Sequence, residues 1–513
     1  MPGSLRVRRR RAAALRVDVD ASLDLVGGVL KWVGLAFLAP ALAALGYGEP
    51  VWPFLAAAAI TAATGVLMDQ ITDDREDERI GPREGFLVVA LVWLLVPAFG
   101  GLPFLLGRVP QLSHPVDAYF ESMSGFTATG ATVLDHVERI PRSMLFWRQL
   151  THWLGGMGII ILAVAILPRL RVGGRRLLEA ELAGPAGIER LSTTIRQTAR
   201  RLWTLYVGLT AAATLLLAVL GWIGLDRTID LFDAFAYASS AVALGGFSPR
   251  DASASTLAPV TQWALIVTML VSGINFLRLF RLLVQRQLRP VLRDEELRLY
   301  LGFMGGAALL LFVELVSDRL AGAGTAVRFA VFQSISTMTT TGMSVADYTH
   351  WSALATMTIL LLMFVGASAG STGGSIKVVR HLLLFRLVRR ELVSAAHPDV
   401  IVPVRVNGVV VDDRALRSAI GFVLLYLLTF AIGALGLVID AERTHGTISA
   451  FEGIGASASC LGNVGAAFGF AGPFGSYSGF SNLSTGILTA QMWLGRVEII
   501  PVVVMLTRSF WRG

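Results

Sequence analysis

The chain has 513 residues, 54% hydrophobic and only 16% charged, where an average soluble protein carries about 25% charged residues. Apolar runs recur from Leu23 to Leu506 with no polar block of domain size between them, which marks a membrane protein and excludes a separate catalytic or nucleotide-binding domain. The net charge of +8 is almost all arginine, since Lys31 and Lys377 are the only lysines; these arginines sit in short segments between apolar runs, as a positive-inside bias requires, so nucleic acid is not their partner. The single cysteine, Cys460, excludes an internal disulfide and a cysteine-ligated metal site.

In chain order, residues 1–25 form a tail with the basic run Arg6 to Arg16, expected in the cytoplasm. A spanning helix needs ~20 apolar residues. The segments 26–46, 51–69, 85–106, 144–168, 202–224, 259–283, 298–318, 354–379, 415–439 and 485–507 qualify, predicting ten spans. Four shorter apolar stretches, 117–129, 232–244, 328–341 and 448–461, are rich in Ser, Thr, Ala and Gly and read as re-entrant pieces. The connections 169–201, 278–298 and 380–417 are arginine-rich, and all three face the cytoplasm only if none of the short stretches crosses. The alternative is that one of them is a true span.

The short stretches repeat one another. Phe120 precedes Gly130 by ten residues, as Phe235 precedes Gly245 and Phe332 precedes Gly342, with Ser124, Ser239 and Ser336 four after each Phe; FEGIGASASCLGNVG, Phe451 to Gly465, is a fourth copy of uncertain register, in which Gly462 competes with Gly465. The predicted fold is therefore an all-α membrane protein of four pseudo-repeats, each a helix, a re-entrant pore helix with its loop, and a second helix, around a central pore. Two extra N-terminal helices (26–80) precede the repeats at 81–175, at 176–297 with an amphipathic linker, at 298–412 with a broken second helix, and at 413–513. Rings of backbone carbonyls replace a cation's hydration shell, glycine permits the turn, and the helix C-termini favour a cation. The predicted ion-site residues are Ala128, Thr129 and Gly130; Ala243, Leu244 and Gly245; Thr340, Thr341 and Gly342; and Asn463, Val464 and Gly465. The competing explanation is plain helix packing by small residues.

The segments SGFTATGATV (124–133), ALGGFSPRDAS (243–253), TTTGMS (339–344), GSTGGSIKVVR (370–380), CLGNVGAAFG (460–469) and LGRVEI (494–499) resemble the TrkH/KtrB branch of bacterial potassium transporters, with the length and extra N-terminal helices of the TrkH type. The resemblance implies a K⁺-translocating subunit of the bacterial inner membrane that forms a homodimer among membrane lipids. It also implies control by a cytosolic nucleotide-binding ring of the TrkA kind, nucleotide entering only through that partner. Ala128 stands where the family often has threonine, and LGN where LNN is common, which leaves Na⁺ permeation as an alternative.

The stretch GASAGSTGGS, 366–375, interrupts the second span of the third repeat. Such backbone at membrane depth must be buried in protein or line a watery cavity. With Gly370, Gly373 and Gly374 it is expected to plug the pore below the filter, as the gating loop of the resembled family does; the alternative is a glycine-kinked helix. Lys377 after it and Arg496 in the last span are expected to add a positive barrier beneath the filter. Lys377 alternatively snorkels to the interface, and Arg496 alternatively pairs with a buried acid. Glu498 is expected to project elsewhere on the helix, and Arg148, His152 and Glu314 to make structural pairings. The histidines lack metal-ligand spacing, and no catalytic constellation occurs within the spans, so an enzyme is not expected. An ion-coupled secondary transporter, which also uses broken helices, is the main rival to a pore.

Overall fold

The computed structural model describes residues 17–71, 81–165, 195–444 and 448–511. The basic N-terminal run and nearly all of the arginine-rich connection 169–201, with the amphipathic linker, lie outside them. Among the described residues six helices are long and apolar enough to cross a membrane, and a seventh if one bent pair counts as a single span.

Helices α1 (Val19–Ala36) and α2 (Leu38–Tyr47) join at Phe37, and α3 (Trp52–Ile71) packs back on α1. A Cβ on Gly65 would lie 2.7 Å from the Gly27 carbonyl oxygen, so the two glycines set how closely α1 and α3 approach. With α1 and α2 together forming one span, Val19–Tyr47, and α3 the other, these are the two extra spans expected at the N-terminus.

The first repeat comprises α4 (Pro82–Gly100) with its short continuation α5 (Leu102–Leu106), the pore helix α6 (Pro115–Phe126) and α7 (Arg142–Ala165). The second comprises α8 (Ile195–Trp222), pore helix α9 (Leu231–Ala243), then α10 (Pro259–Ser272) and α11 (Phe276–Leu283), with the short α12 (Leu288–Leu292) beyond. The third comprises α13 (Glu295–Ser317), pore helix α14 (Ala323–Met338), α15 (Ala353–Met363) and α16 (Val378–Ala396). After the antiparallel hairpin of β1 (Arg405–Val406) and β2 (Val409–Val410), the fourth comprises α17 (Asp413–Arg443), pore helix α18 (Ala450–Gly462), α19 (Asn482–Arg496), α20 (Ile500–Met505) and the terminal turn α21 (Arg508–Trp511). The four-repeat, all-α reading therefore holds, with the hairpin added. Its tip, Asn407–Gly408, has φ of 50° and 80°, the backbone that lets a two-residue loop follow the strand twist.

The second helix of a repeat is broken three times. The expected span 259–283 bends by 110° between α10 and α11, because Asn275 starts a new helix by accepting from the amides of Leu277 and Arg278. The expected span 485–507 stops at Arg496, and Glu498 and Ile499 at φ of 62° and 54° turn the chain before α20. A β-branched residue in that region is strained, so tertiary contacts hold it. The third break, between α15 and α16, is the predicted glycine-serine interruption.

At the entry to the second pore helix, the buried Asp226 accepts from the hydroxyls of Thr228 and Thr261 at 2.6 and 2.7 Å and from the amides of Ala258 and Thr228 at 2.8 and 3.0 Å. Burial raises its pKa, but these bonds outweigh that and leave it below the ordinary carboxylate value. Asp226→Ala lowers stability by about 1.5–3 kcal/mol at neutral pH, seen as a lower Tm in detergent. Because the folded pKa is depressed, the contribution is full above the ordinary carboxylate range and vanishes as pH falls through the lowered value, so the difference from wild type closes on acidification.

Candidate functional site: a ring of four loops and the loop beneath it

Each pore helix ends in the same turn. A residue in left-handed backbone (Ala128 at φ 51°, Leu244 at 55°, Thr340 at 63°, Asn463 at 55°) comes two places before a glycine with positive φ, namely Gly130 at 89°, Gly246 at 84°, Gly342 at 76° and Gly465 at 97°. The residue between them donates its amide to a serine carbonyl in the helix: Thr129 to Ser124 at 2.8 Å, Gly245 to Ser240 at 3.0 Å, Thr341 to Ser336 at 2.8 Å and Val464 to Ser459 at 2.8 Å. The register of the second copy is thus one residue later than expected. Leu244, Gly245 and Gly246 correspond to Ala128, Thr129 and Gly130, while Ala243 is the last residue of α9. In the fourth copy Gly462 ends the helix and Gly465 makes the turn. Serine six residues before the turn glycine recurs in all four copies, whereas the spacing from phenylalanine to that glycine varies among them.

The four glycines close a ring. A Cβ on Gly130 would strike the Gly245 carbonyl oxygen, one on Gly246 that of Thr341, one on Gly342 that of Val464, and one on Gly465 that of Thr129. Each loop therefore stacks its glycine against a carbonyl of the next, and the fourth returns to the first. Only residues without a Cβ permit so close an approach, which explains glycine at all four positions better than conformational freedom alone.

Side chains behind the ring brace its outer ends. Eleven residues separate Glu121 from Thr132, Tyr237 from Ser248 and Gln333 from Ser344, and these pairs are hydrogen-bonded at 2.9, 3.1 and 3.2 Å. In the fourth copy the hydroxyl of Tyr477 donates to the Gly465 carbonyl at 2.6 Å instead. Arg148 pairs with Glu121 at 2.6 Å and donates to the Ser248 carbonyl. His152 stacks on Phe247, with ring centroids 3.9 Å apart, and Glu314 accepts from the Ser352 hydroxyl. The Asn463 side chain donates to Thr129 Oγ1 at 2.9 Å and to the Met492 carbonyl at 3.0 Å, tying the fourth loop to the first.

The break 364–377 lies against this ring and is largely buried. Gly366 and Gly370 turn it at φ of 79° and 73°. Gly374 donates its amide to Thr340 Oγ1 at 2.9 Å. Arg496, 3% exposed, donates to the Thr372 carbonyl and to the Gly155 carbonyl of α7, both at 2.8 Å. Among the described residues no carboxylate pairs with it. Gly373 packs too closely on the Thr339 carbonyl to accept a Cβ freely, at 2.9 Å. Lys377 and Glu498 depart from expectation: Lys377 Nζ lies 2.7 Å from Glu498 Oε1, and Arg380 lies 2.7 Å from Oε2. Lys377 is therefore anchored at the loop's end by a carboxylate that it shares with Arg380. Glu498 meets it because the helix has already ended at Arg496, which helix spacing alone does not foresee.

Residues 54–511 match the family model of TrkH, described as cation transport protein. This chain belongs to that TrkH family. The Trk system potassium uptake protein TrkH of Halomonas elongata is 35% identical over 96% of this chain and 98% of its own length. The protein of the same name from Escherichia coli is 34% identical over 85% of this chain and 88% of its own. The crystal structure of the potassium transporter TrkH from Vibrio parahaemolyticus superposes with TM-score 0.85 at 31% identity, covering 97% of this chain and 100% of that one. Membership and the apolar helices make this a multi-pass protein of the bacterial inner membrane.

The ring geometry separates Gly246 from Gly245. Gly246→Ala places a side chain in left-handed backbone, at roughly 1–2 kcal/mol, and drives it into the Thr341 carbonyl, so cation flux falls at least ~10-fold. The three atoms nearest a Cβ on Gly245 all belong to the His152 ring, so Gly245→Ala with His152→Ala retains flux. Equal losses in both, measured in liposomes, contradict the revised register.

Proposed function

We propose that this chain is the K⁺-translocating membrane subunit of a Trk-type uptake system, and that K⁺ passes through the glycine ring. The observation that carries the reading is the closure of four equivalent loops, each glycine against the next loop's carbonyl. Backbone carbonyls gathered around one axis substitute for the water around an alkali cation. The pore helices add the negative ends of their dipoles at the same place. The ion sites are then the backbone of Ala128 to Gly130, Leu244 to Gly246, Thr340 to Gly342 and Asn463 to Gly465. The names of the relatives supply the choice of K⁺ over Na⁺.

The loop containing Gly370, Gly373 and Gly374 serves as the gate. Arg496 supplies an unneutralised charge beside it, raising the barrier to a cation. The protein works as a homodimer in the lipid bilayer, under a cytosolic nucleotide-binding ring that meets its basic cytoplasmic surface. Arg496→Ala removes both the charge and the bond to Thr372, so K⁺ flux into liposomes rises ~3- to 10-fold, a barrier lower by about 1 kcal/mol. K⁺ and Na⁺ are compared in the same assay. Unchanged or lower K⁺ flux in a folded variant makes the arginine a structural tie and moves the gate elsewhere; equal K⁺ and Na⁺ flux in wild type rejects the K⁺ assignment.

A further inference from the structure

The first half of the intramembrane loop is held from below by charges that continue to the protein's hairpin. Ala369 is bound through both peptide groups. Its amide donates to Glu296 Oε1 at 2.7 Å, and its carbonyl accepts from the Asn275 side chain at 2.6 Å. The other oxygen of Glu296, which is fully buried, pairs with Arg278. Arg278 also pairs with Asp294 at 3.1 Å. Asp294 Oδ2 in turn accepts from the side-chain amide of Asn407, at the hairpin tip, at 2.8 Å. That tip is doubly locked: Asn407 Oδ1 accepts from the Glu295 amide at 2.9 Å, and the Asn407 amide donates to Glu295 Oε2 at 2.7 Å. Arg386 of α16 reaches the same Glu295 at 2.9 Å.

Three consecutive acids at the start of α13 thus join the hairpin, α11, α16 and the loop. A buried carboxylate with both oxygens used is costly to rearrange singly, so the parts of such a network shift together. We propose that Glu296 is the positioning residue that holds the loop closed, and that the hairpin tip at Asn407 is mechanically coupled to it through Asp294 and Arg278. The proposal rests on the loop being the gate. The Val404 and Val411 ends of the hairpin pack on Leu383, Ala415 and Leu416, so the base is fixed while the tip engages the acids.

The test is hydrogen–deuterium exchange on the full-length protein in nanodiscs, with flux measured in parallel. Asn407→Gly keeps the left-handed turn and deletes both side-chain bonds to residues 294 and 295. The control, Asp413→Ala, removes an exposed ion pair with Arg390 near the base of the same hairpin. The proposal predicts exchange at least ~3-fold faster in peptides covering 366–375 for Asn407→Gly and no change for Asp413→Ala. Unchanged loop peptides in Asn407→Gly, or equal acceleration in both variants, overturn it. Faster loop exchange with unaltered cation flux upholds the mechanical link and instead rejects the loop as the gate.

Discussion

The close approach of four glycines to four carbonyls governs this molecule. Each repeat must deliver its loop to within van der Waals contact of the next, and a closed ring tolerates no independent drift. The serine-carbonyl bonds that end each pore helix and the braces eleven residues apart are consequences of that demand. The braces differ in chemistry, being a carboxylate with an arginine, a phenol and an amide, yet each spans the same distance from helix to loop. Geometry, not residue identity, is what the repeats share.

A ring held this rigidly is poorly suited to opening and closing, and the proposed gate lies instead in the break of the third repeat. The loop 364–377 is tied directly to Asn275 in the second repeat, Thr340 in its own, and Arg496 and Glu498 in the fourth, and Arg496 carries the connection on to Gly155 in the first. Most of these ties are single hydrogen bonds to backbone, each worth about 0.5–3 kcal/mol. Burial of Glu296 and of Arg496 concentrates the strongest of these ties at two points on its flanks.

Much of this was legible beforehand. The apolar segments, short stretches, fourfold repetition and the glycine-serine break follow from apolar length and composition, because those are set by the bilayer itself, although three of the ten expected spans are broken helices. The register of the second loop was not, since AVALGG offers two adjacent glycines and only the cross-ring contact distinguishes them. The breaks at Asn275 and at Glu498–Ile499 were missed for different reasons. Asn275 carries a local capping signal hidden in an apolar run. Ile499 carries none, its backbone being imposed by surrounding contacts. The ion pair of Lys377 was not foreseen because its partner lies 121 residues away in sequence, beyond any local pattern.

The central claim is that a cation sits within the glycine ring. Crystals of the protein grown with Rb⁺ in place of K⁺, measured at the rubidium absorption edge, test it directly. The account predicts anomalous density on the axis between the carbonyls of Thr129, Gly245, Thr341 and Val464. Ordered rubidium found elsewhere, with none within the ring, would contradict it.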